Sequence, residues 1–375
     1  MDRPSFSLGI EEEYLIVDPV TRDLVAEPAP GFFAECRAAL GDQVSAEFLR
    51  CQVEVGTRPH RGVTAAVAEL RDLRATVARA AAAHGHAVIA ASTHPFARWR
   101  AQSHTPKPRY DRIWSEIGEP ADRLMICGMH MHVGIENPDL RVALMNAVSG
   151  FLPHLLALSA SSPFWEGHDT RLACHRLTMM DALPRTGLPD PMASHAEYRA
   201  MVDRLVEAGC LEDATKIWWD IRPSDRFPTL EQRVTDVCPR LDDVAALAAF
   251  YQSLLAFLYR RHHEGRPWPA RPGTLVRENR WRAQRHGHMA RLIDFERRPP
   301  PEMAAAVADW IELLGPDAEL LGCGHALEGL RRIAAEGTSA TRQRVVHAEA
   351  VARGADDAAA LRAVVDHLIG GFAGK

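Results

Sequence analysis

Paired cysteines are missing from the chain. Its seven thiols (Cys36, Cys51, Cys127, Cys174, Cys210, Cys238, Cys323) are scattered over 375 residues. An odd count without a C-x-x-C pair fits neither a disulfide framework nor a zinc knuckle, and points to reduced thiols in a cytoplasmic protein. Long apolar runs are missing too. No uninterrupted one approaches the roughly 18 to 20 residues of a membrane span, and the N-terminus, MDRPSFSLGIEEEY, lacks the apolar core of a secretory signal. Neither sign of charge is in large excess. A net charge of −5 implies no strong general attraction to nucleic acid or to an anionic membrane. The phosphate loops G-x-x-x-x-G-K-[ST] and G-x-G-x-x-G are also absent, so any phosphate ligand must be held by other means.

What is present is ordinary globular material: 47% apolar and 25% charged residues, in a chain long enough for one large domain or two smaller ones. The first ~60 residues read as strands, Phe6 to Val17 and Val44 to Thr57, around a polar turn at 18–23. Val63, Val67, Leu70, Leu73 and Val77 recur at helical spacing and predict a helix over 62–84. Ala87 to Ala91 reads as a short buried strand. Residues 94–123, with Pro95, Pro106, Pro108 and Pro120, read as a long functional loop. Leu124 to Glu136 reads as a strand, and 140–161, 195–209 and 241–263 as helices. Trp218 to Val237 reads as strand, turn, strand. From Pro301 onward the chain is Ala- and Leu-rich and helical. No long linker precedes that tail, so it is expected to pack back on the sheet within a single domain spanning 1–375.

Five segments carry candidate chemistry. In Gly9-Ile10-Glu11-Glu12-Glu13 strand alternation turns Glu11 and Glu13 one way and Glu12 the other. Two like charges on one face suit a hard cation such as Mg²⁺ or Mn²⁺, unless they form a solvated acidic edge. Glu47 and Glu54 would share a face only if a turn or bulge lay between them. In Cys127-Gly128-Met129-His130-Met131-His132-Val133-Gly134 both histidines share a face. Such a pair serves a zinc hydrolase or simply sits in a core. Glu231 and Arg233 share a strand face downstream of Arg222, and a metal-holding carboxylate beside a phosphate-holding arginine suits phosphoryl transfer. The basic run 276–288, with Trp281 inside it, is short for a nucleic-acid site and reads as an anion site.

Taken in order, Gly-Ile-Glu-Glu-Glu at 9–13, Met-His-Met-His-Val-Gly at 129–134, Ser-Pro-Phe-Trp-Glu-Gly at 162–167, Trp-Asp-Ile-Arg-Pro-Ser at 219–224, Thr-Leu-Glu-x-Arg-Val at 229–234 and Arg-Glu-Asn-Arg-Trp at 277–281 resemble the second glutamate–cysteine ligase family, a group of carboxylate–amine ligases. The likeness runs from about residue 6 to 290. It implies an α+β, glutamine synthetase-like fold: a curved, mainly antiparallel sheet with helices on its convex side. It implies an ATP-dependent ligase that activates a glutamate-like carboxylate as an acyl phosphate and joins it to an amine such as L-cysteine, with Mg²⁺ or Mn²⁺. Homodimers occur among such relatives.

By resemblance, Glu11, Glu13, Glu47, Glu54, His130 and Glu231 are metal ligands. Arg233, Glu54 and Arg222 are catalytic. His130, Arg233, Arg280, Asn279 and Arg176 contact the nucleotide, with Glu278 a further candidate contact. The stretch 169–176 departs from the family form, in which glycine is expected near 171 and serine or tyrosine near 175. A zinc-dependent amidohydrolase built on the His-x-His pair and a non-catalytic nucleotide-binding protein are the competing expectations.

Overall fold

A computed structural model describes residues 3–372. Its frame is a seven-stranded sheet of β1 (Leu8–Val17), β2 (Val44–Ala46), β3 (Gln52–Gly56), β4 (Ala87–Ile89), β5 (Met129–Gly134), β6 (Ile221–Pro223) and β7 (Thr229–Gln232). The order is β6-β7-β5-β1-β3-β2, with β4 pairing the C-terminal end of β1, and each of these pairings is antiparallel.

Alternation on β1 separates two faces. Leu8, Ile10, Glu12 and Tyr14 are fully buried against helices, whereas Gly9, Glu11 and Glu13 are only partly covered. Helix α1 spans Pro30–Leu40, α2 Val63–Ala83, α3 Pro108–Ile117, α4 Pro138–Val148, α5 Leu152–Ser159, α6 His195–Glu207, α7 Leu241–His263 and α8 Gly273–His286. The tail forms α9 (Met303–Leu320), α10 (Gly324–Glu336), α11 (Ser339–Ala352) and α12 (Asp357–Phe372). Helix α2 buries the stripe Val63, Val67, Leu70, Leu73 and Val77 against β1 and α7. From α7, the Tyr251 hydroxyl donates to Leu230 O of β7 (3.1 Å), and Gln252 Nε2 donates to Phe6 O (2.7 Å).

In the tail, α10 lies on α7 and α12 on β4. Buried Asp243 of α7 accepts from Arg332 of α10 (2.7 Å) and Arg342 of α11 (2.9 Å), tying the tail to the core helix. Two stretches are as long and apolar as a membrane span, Pro138–Ser159 and Leu241–His263. Their apolar windows are 72% and 83% buried inside the fold, which accounts for the apolarity. All seven cysteines are unpaired, and six of them are buried. Burial pushes the Cys51 thiol up to about 12, which makes it a poor nucleophile.

Two local expectations are corrected. The first ~60 residues are not all strand, because α1 intervenes. Proline opens that helix and only Phe32 and Cys36 are buried on it, a stripe too thin to stand out as a period. Residues 94–123 are not a continuous loop, because Pro108 opens α3 as a first-turn residue rather than breaking structure.

Candidate active site

Sheet register assembles the site on the face away from α2. Glu11 lies opposite His130 on β5 and Gly56 on β3. Glu13 lies opposite Glu54, Glu54 opposite Ser45, Glu231 opposite His132, and Arg222 opposite Glu231. Because opposed residues in a ladder share a face, six separate strands contribute to one continuous polar surface. A cavity of about 530 Å³ stands over it, lined by Glu11, Glu13, Glu47, Glu54, His130, His132, Arg176, Arg222, Glu231 and Arg233. That volume is within the usual range for a small-ligand site.

At the β5–β7 end, Glu11 Oε2 is 3.5 Å from His130 Nδ1 and Glu11 Oε1 is 3.4 Å from His132 Nε2. Glu231 Oε1 is 3.9 Å from the same His132 Nε2. His132 Nδ1 faces the Thr229 hydroxyl at 2.9 Å, while its buried Nε2 makes no hydrogen bond. Glu11, His132 and Glu231 thus turn donor atoms within 4.8 Å of one another. A ring fixed through one nitrogen with the other left free between two carboxylates is what a cation ligand needs. Arg222 Nε donates to Glu231 Oε2 (2.8 Å), and Arg233 Nη1 donates to Glu231 Oε1. Burial works against ionisation of Glu231, but Arg233 and Arg222 outweigh it and hold the carboxyl far below its ordinary range.

The β2–β3 end is different. Burial, then the charge of Glu47, pushes Glu13 up to about 7. Burial together with Glu47, Glu11 and Glu13 pushes Glu54 well above the usual carboxylate range. Glu47 and Glu54 come together because β2 and β3 form a tight hairpin, the turn that their spacing required. Ser45 Oγ donates to Glu54 Oε2 (3.1 Å), Tyr110 donates to Glu47 Oε2 (2.7 Å), and Gly128 N donates to Glu13 Oε2 (2.7 Å). A Cβ at Gly128 would lie 2.5 Å from Arg176 Nη2, so any larger residue there would displace that guanidinium. Clustered glutamates that keep raised pKa values are short of positive charge, and a divalent cation would supply it. The donor set therefore fits Mg²⁺ or Mn²⁺ in chemistry, through hard oxygens with one or two imidazoles.

The structure separates the arginines. Arg176 lines the cavity but spends its donors on the carbonyls of Arg233 (3.0 Å), Thr235 (3.3 Å) and Val234 (3.4 Å), so it braces the β7 exit. Arg280 and Asn279, expected as nucleotide contacts, lie outside the residues that line the cavity. Arg280 is buried between Asp220 (Nε to Oδ2, 2.6 Å) and Asp181 (Nη1 to Oδ2, 2.7 Å). The Asn279 side chain bonds Ile293 N (2.6 Å) and O (2.9 Å). Glu278 pairs with Arg282 one turn along α8 (2.9 Å). The basic run is thus a helix whose inward charges are already neutralised by the fold. In the departing stretch, Arg171 has φ +59°, the left-handed region where the glycine expected near 171 would be unstrained. His175 is half-buried beside Trp165, outside the cavity.

Ser45, Tyr110 and Thr229 were not singled out by sequence, and His132 was read only as half of a zinc-hydrolase pair or as a core histidine. Tyr110 carries a weak signal, as an aromatic in the first turn of a proline-opened helix. Ser45 and Thr229 carry none, because only pairing register brings them to the carboxylates.

An antiparallel sheet with helices on one face and a cavity rich in carboxylate, imidazole and guanidinium on the other defines the class: an α+β protein of the glutamine synthetase-like type. Comparison with known proteins narrows it. Residues 7–365 match the family described as Glutamate-cysteine ligase family 2. Relatives named "Putative glutamate--cysteine ligase 2" are 52% identical over 367 residues in Ruegeria pomeroyi (98% of this chain, 94% of the relative) and 50% identical over 373 residues in Rhodospirillum rubrum (98% and 96%). Among solved structures, a Francisella tularensis glutamate–cysteine ligase in complex with AMP superposes with a TM-score of 0.70 at 14% identity, covering 100% of this chain and 90% of that one. A bifunctional glutathione synthetase from Pasteurella multocida gives 0.68 at 15% identity, covering 98% and 52%. These two likenesses concern the fold. The chain belongs to glutamate–cysteine ligase family 2 and is an ATP-dependent carbon–nitrogen ligase, which sets aside the amidohydrolase and the non-catalytic alternatives.

Proposed function

We propose that the protein joins the γ-carboxylate of L-glutamate, or of a closely similar acid, to the amine of a small molecule such as L-cysteine, using ATP and Mg²⁺ or Mn²⁺. Amide formation from a carboxylate is uphill in water, so the acid is first activated. Its carboxylate attacks the γ-phosphorus of ATP and ADP leaves; the amine then attacks the acyl carbon of the resulting acyl phosphate and displaces inorganic phosphate, giving the amide. Bound divalent cations would neutralise the phosphate charge and polarise the phosphoryl oxygens.

The observation that carries this reading is the polar face itself. Glu11, Glu13, Glu47, Glu54 and Glu231 share one cavity with Arg233 at its edge, more negative charge than the fold neutralises by itself. Glu11, Glu13, Glu47, Glu54 and Glu231 are assigned as cation ligands, with His132 beside His130 as imidazole donors. Arg233 is paired to Glu231 through Nη1, and its remaining donors are assigned to the transferred phosphoryl group. Arg222 holds Glu231 in place. Glu54 is also assigned to accept the proton that the attacking ammonium must lose. The chain is taken as one catalytic unit working in the cytoplasm, in which a homodimer would not alter these assignments.

The test is ADP release from ATP and Mg²⁺ with L-glutamate alone, then with a panel of amines including L-cysteine, and mass detection of the γ-glutamyl product. Amine-stimulated release with that product is the expected result. Absence of turnover across the panel, together with no ATP binding by calorimetry, would refute it.

A further inference from the structure

Five arginines line the cavity, and their surroundings are unequal. Arg222 and Arg233 are committed to Glu231, and Arg176 to main-chain carbonyls. Arg226 is exposed on the turn between β6 and β7. Arg109 is half-buried in the first turn of α3, and among the described residues no carboxylate lies within ion-pair distance of it. Its acidic neighbour Asp213 is already engaged by the Thr215 amide (2.8 Å) and hydroxyl. A partly desolvated guanidinium with no internal partner is short of an anion.

The mounting of Arg109 is not loose. The next residue, Tyr110, donates to Glu47 in the acidic cluster, and Lys107 Nζ donates to Ala46 O at the end of β2 (2.7 Å). Further along α3, Arg112 pairs with Glu212 (2.5 Å) and Glu116 with Lys216 (3.8 Å), the two cations and anions fastening the helix to the segment before β6. Helix α3 therefore bridges the two walls of the cavity, and Arg109 is carried between its anchors.

We propose that Arg109 binds the α-carboxylate of an amino-acid substrate and so determines that the enzyme takes amino acids rather than simple acids or amines. The inference rests on the ligase reading above. An amino acid entering a cavity lined by five glutamates meets repulsion at its α-carboxylate. The planar fork of an arginine offsets that repulsion with two parallel hydrogen bonds, as a diffuse cation cannot. The carboxylate belongs to the acid substrate or to the amine acceptor, and paired substrates tell the two apart.

The experiment measures kcat/KM for Arg109→Gln, Arg109→Lys and wild type with two substrate pairs. L-glutamate against 4-aminobutyrate removes the α-carboxylate of the acid and keeps the carboxylate to be activated. L-cysteine against cysteamine removes the carboxylate of the acceptor. Wild type is expected to favour the carboxylate-bearing member of one pair by about ten- to hundredfold, the range for a charge-assisted hydrogen-bond pair. Arg109→Gln is expected to bring that ratio near one, mainly through KM, with Arg109→Lys between the two and melting temperature unchanged. Collapse of the first ratio assigns Arg109 to the acid and of the second to the acceptor. Both ratios unchanged in Arg109→Gln, or no preference in wild type, would overturn the inference. If wild type turns over no pair, the assignment of these substrates has failed separately, and calorimetry with L-glutamate and L-cysteine in the presence of a non-hydrolysable ATP analogue decides. Binding that Arg109→Gln does not weaken, or no binding, overturns it.

Discussion

Three consecutive glutamates on β1 meet two different surroundings. Glu12 points into the helix layer, where Arg74 of α2 donates to both of its oxygens (Nε 2.8 Å, Nη2 2.7 Å) and Tyr14 adds a third bond (2.6 Å). Arg74 also reaches Pro239 O and Cys238 O, so this charge pair is closed within the protein. Glu11 and Glu13 point the other way, at histidines and at further glutamates, and the fold provides Glu13 with no ion pair among the described residues. Neutralisation on one face is internal and structural. On the other it is left for a ligand to complete, which is the difference between a core and an active site.

The largest effect that would break this comparison is on activity. Glu11→Gln and Glu231→Gln are each expected to reduce amine-dependent ADP release by roughly a thousandfold or more while the fold persists by circular dichroism, since each removes a charge aimed at the cation site. Full activity in Glu231→Gln would defeat the site assignment.

On the helix face the readout should be stability. Arg74→Met leaves Glu12 buried without its partner and is expected to cost about 3–5 kcal/mol in denaturant unfolding. Turnover per folded molecule should fall far less than in Glu11→Gln. A double Glu12→Gln, Arg74→Met variant is expected to recover part of the lost stability.

Proton release sharpens the contrast. Glu13 holds its proton up to about 7 and Glu54 beyond the ordinary range, so Mg²⁺ must displace protons to bind there. Calorimetric titration at pH 6.5 in buffers of different ionisation enthalpy should report release of about one proton, and Glu13→Gln should lower it.

The smallest expected effect is a pair of opposed slopes in stability against pH. His94 and His154 are pushed down to about 4 by burial, from an ordinary 6.5. Between about 6.5 and 4 the unfolded chain takes up protons that the folded chain refuses, so stability falls as pH drops through that window. Glu13 acts with the opposite sign. The fold retains its proton from 4.5 to about 7 while the unfolded chain has lost it, so without cation stability falls as pH rises through that range. Adding Mg²⁺ in urea titrations should flatten the second slope and leave the first.

Much of the site was legible residue by residue. Strand alternation separated Glu12 from Glu11 and Glu13, and the spacing of Glu47 and Glu54 demanded the turn that the β2–β3 hairpin supplies. The buried stripe of α2 was legible by period and the helical tail by its Ala- and Leu-rich composition. Helix α1 was not, because two buried residues in eleven make no pattern. The surroundings of Arg280 were not legible for a different reason. A basic run looks the same in sequence whether its charges face a ligand or, as here, Asp181 and Asp220 at separations of 99 and 60 residues.

By itself the sequence determined the kind of chemistry available and the order in which its parts occur, since side-chain type and strand or helix period are local properties. Tertiary structure alone decided which charges are spent and which are free. Arg222 and Arg280 each stand two positions after an acidic residue, Asp220 and Glu278, yet one braces a cavity carboxylate and the other is sealed between aspartates. The field at a buried charge is set by what stands within a few ångströms, and strand register and helix packing bring those neighbours from distant parts of the chain.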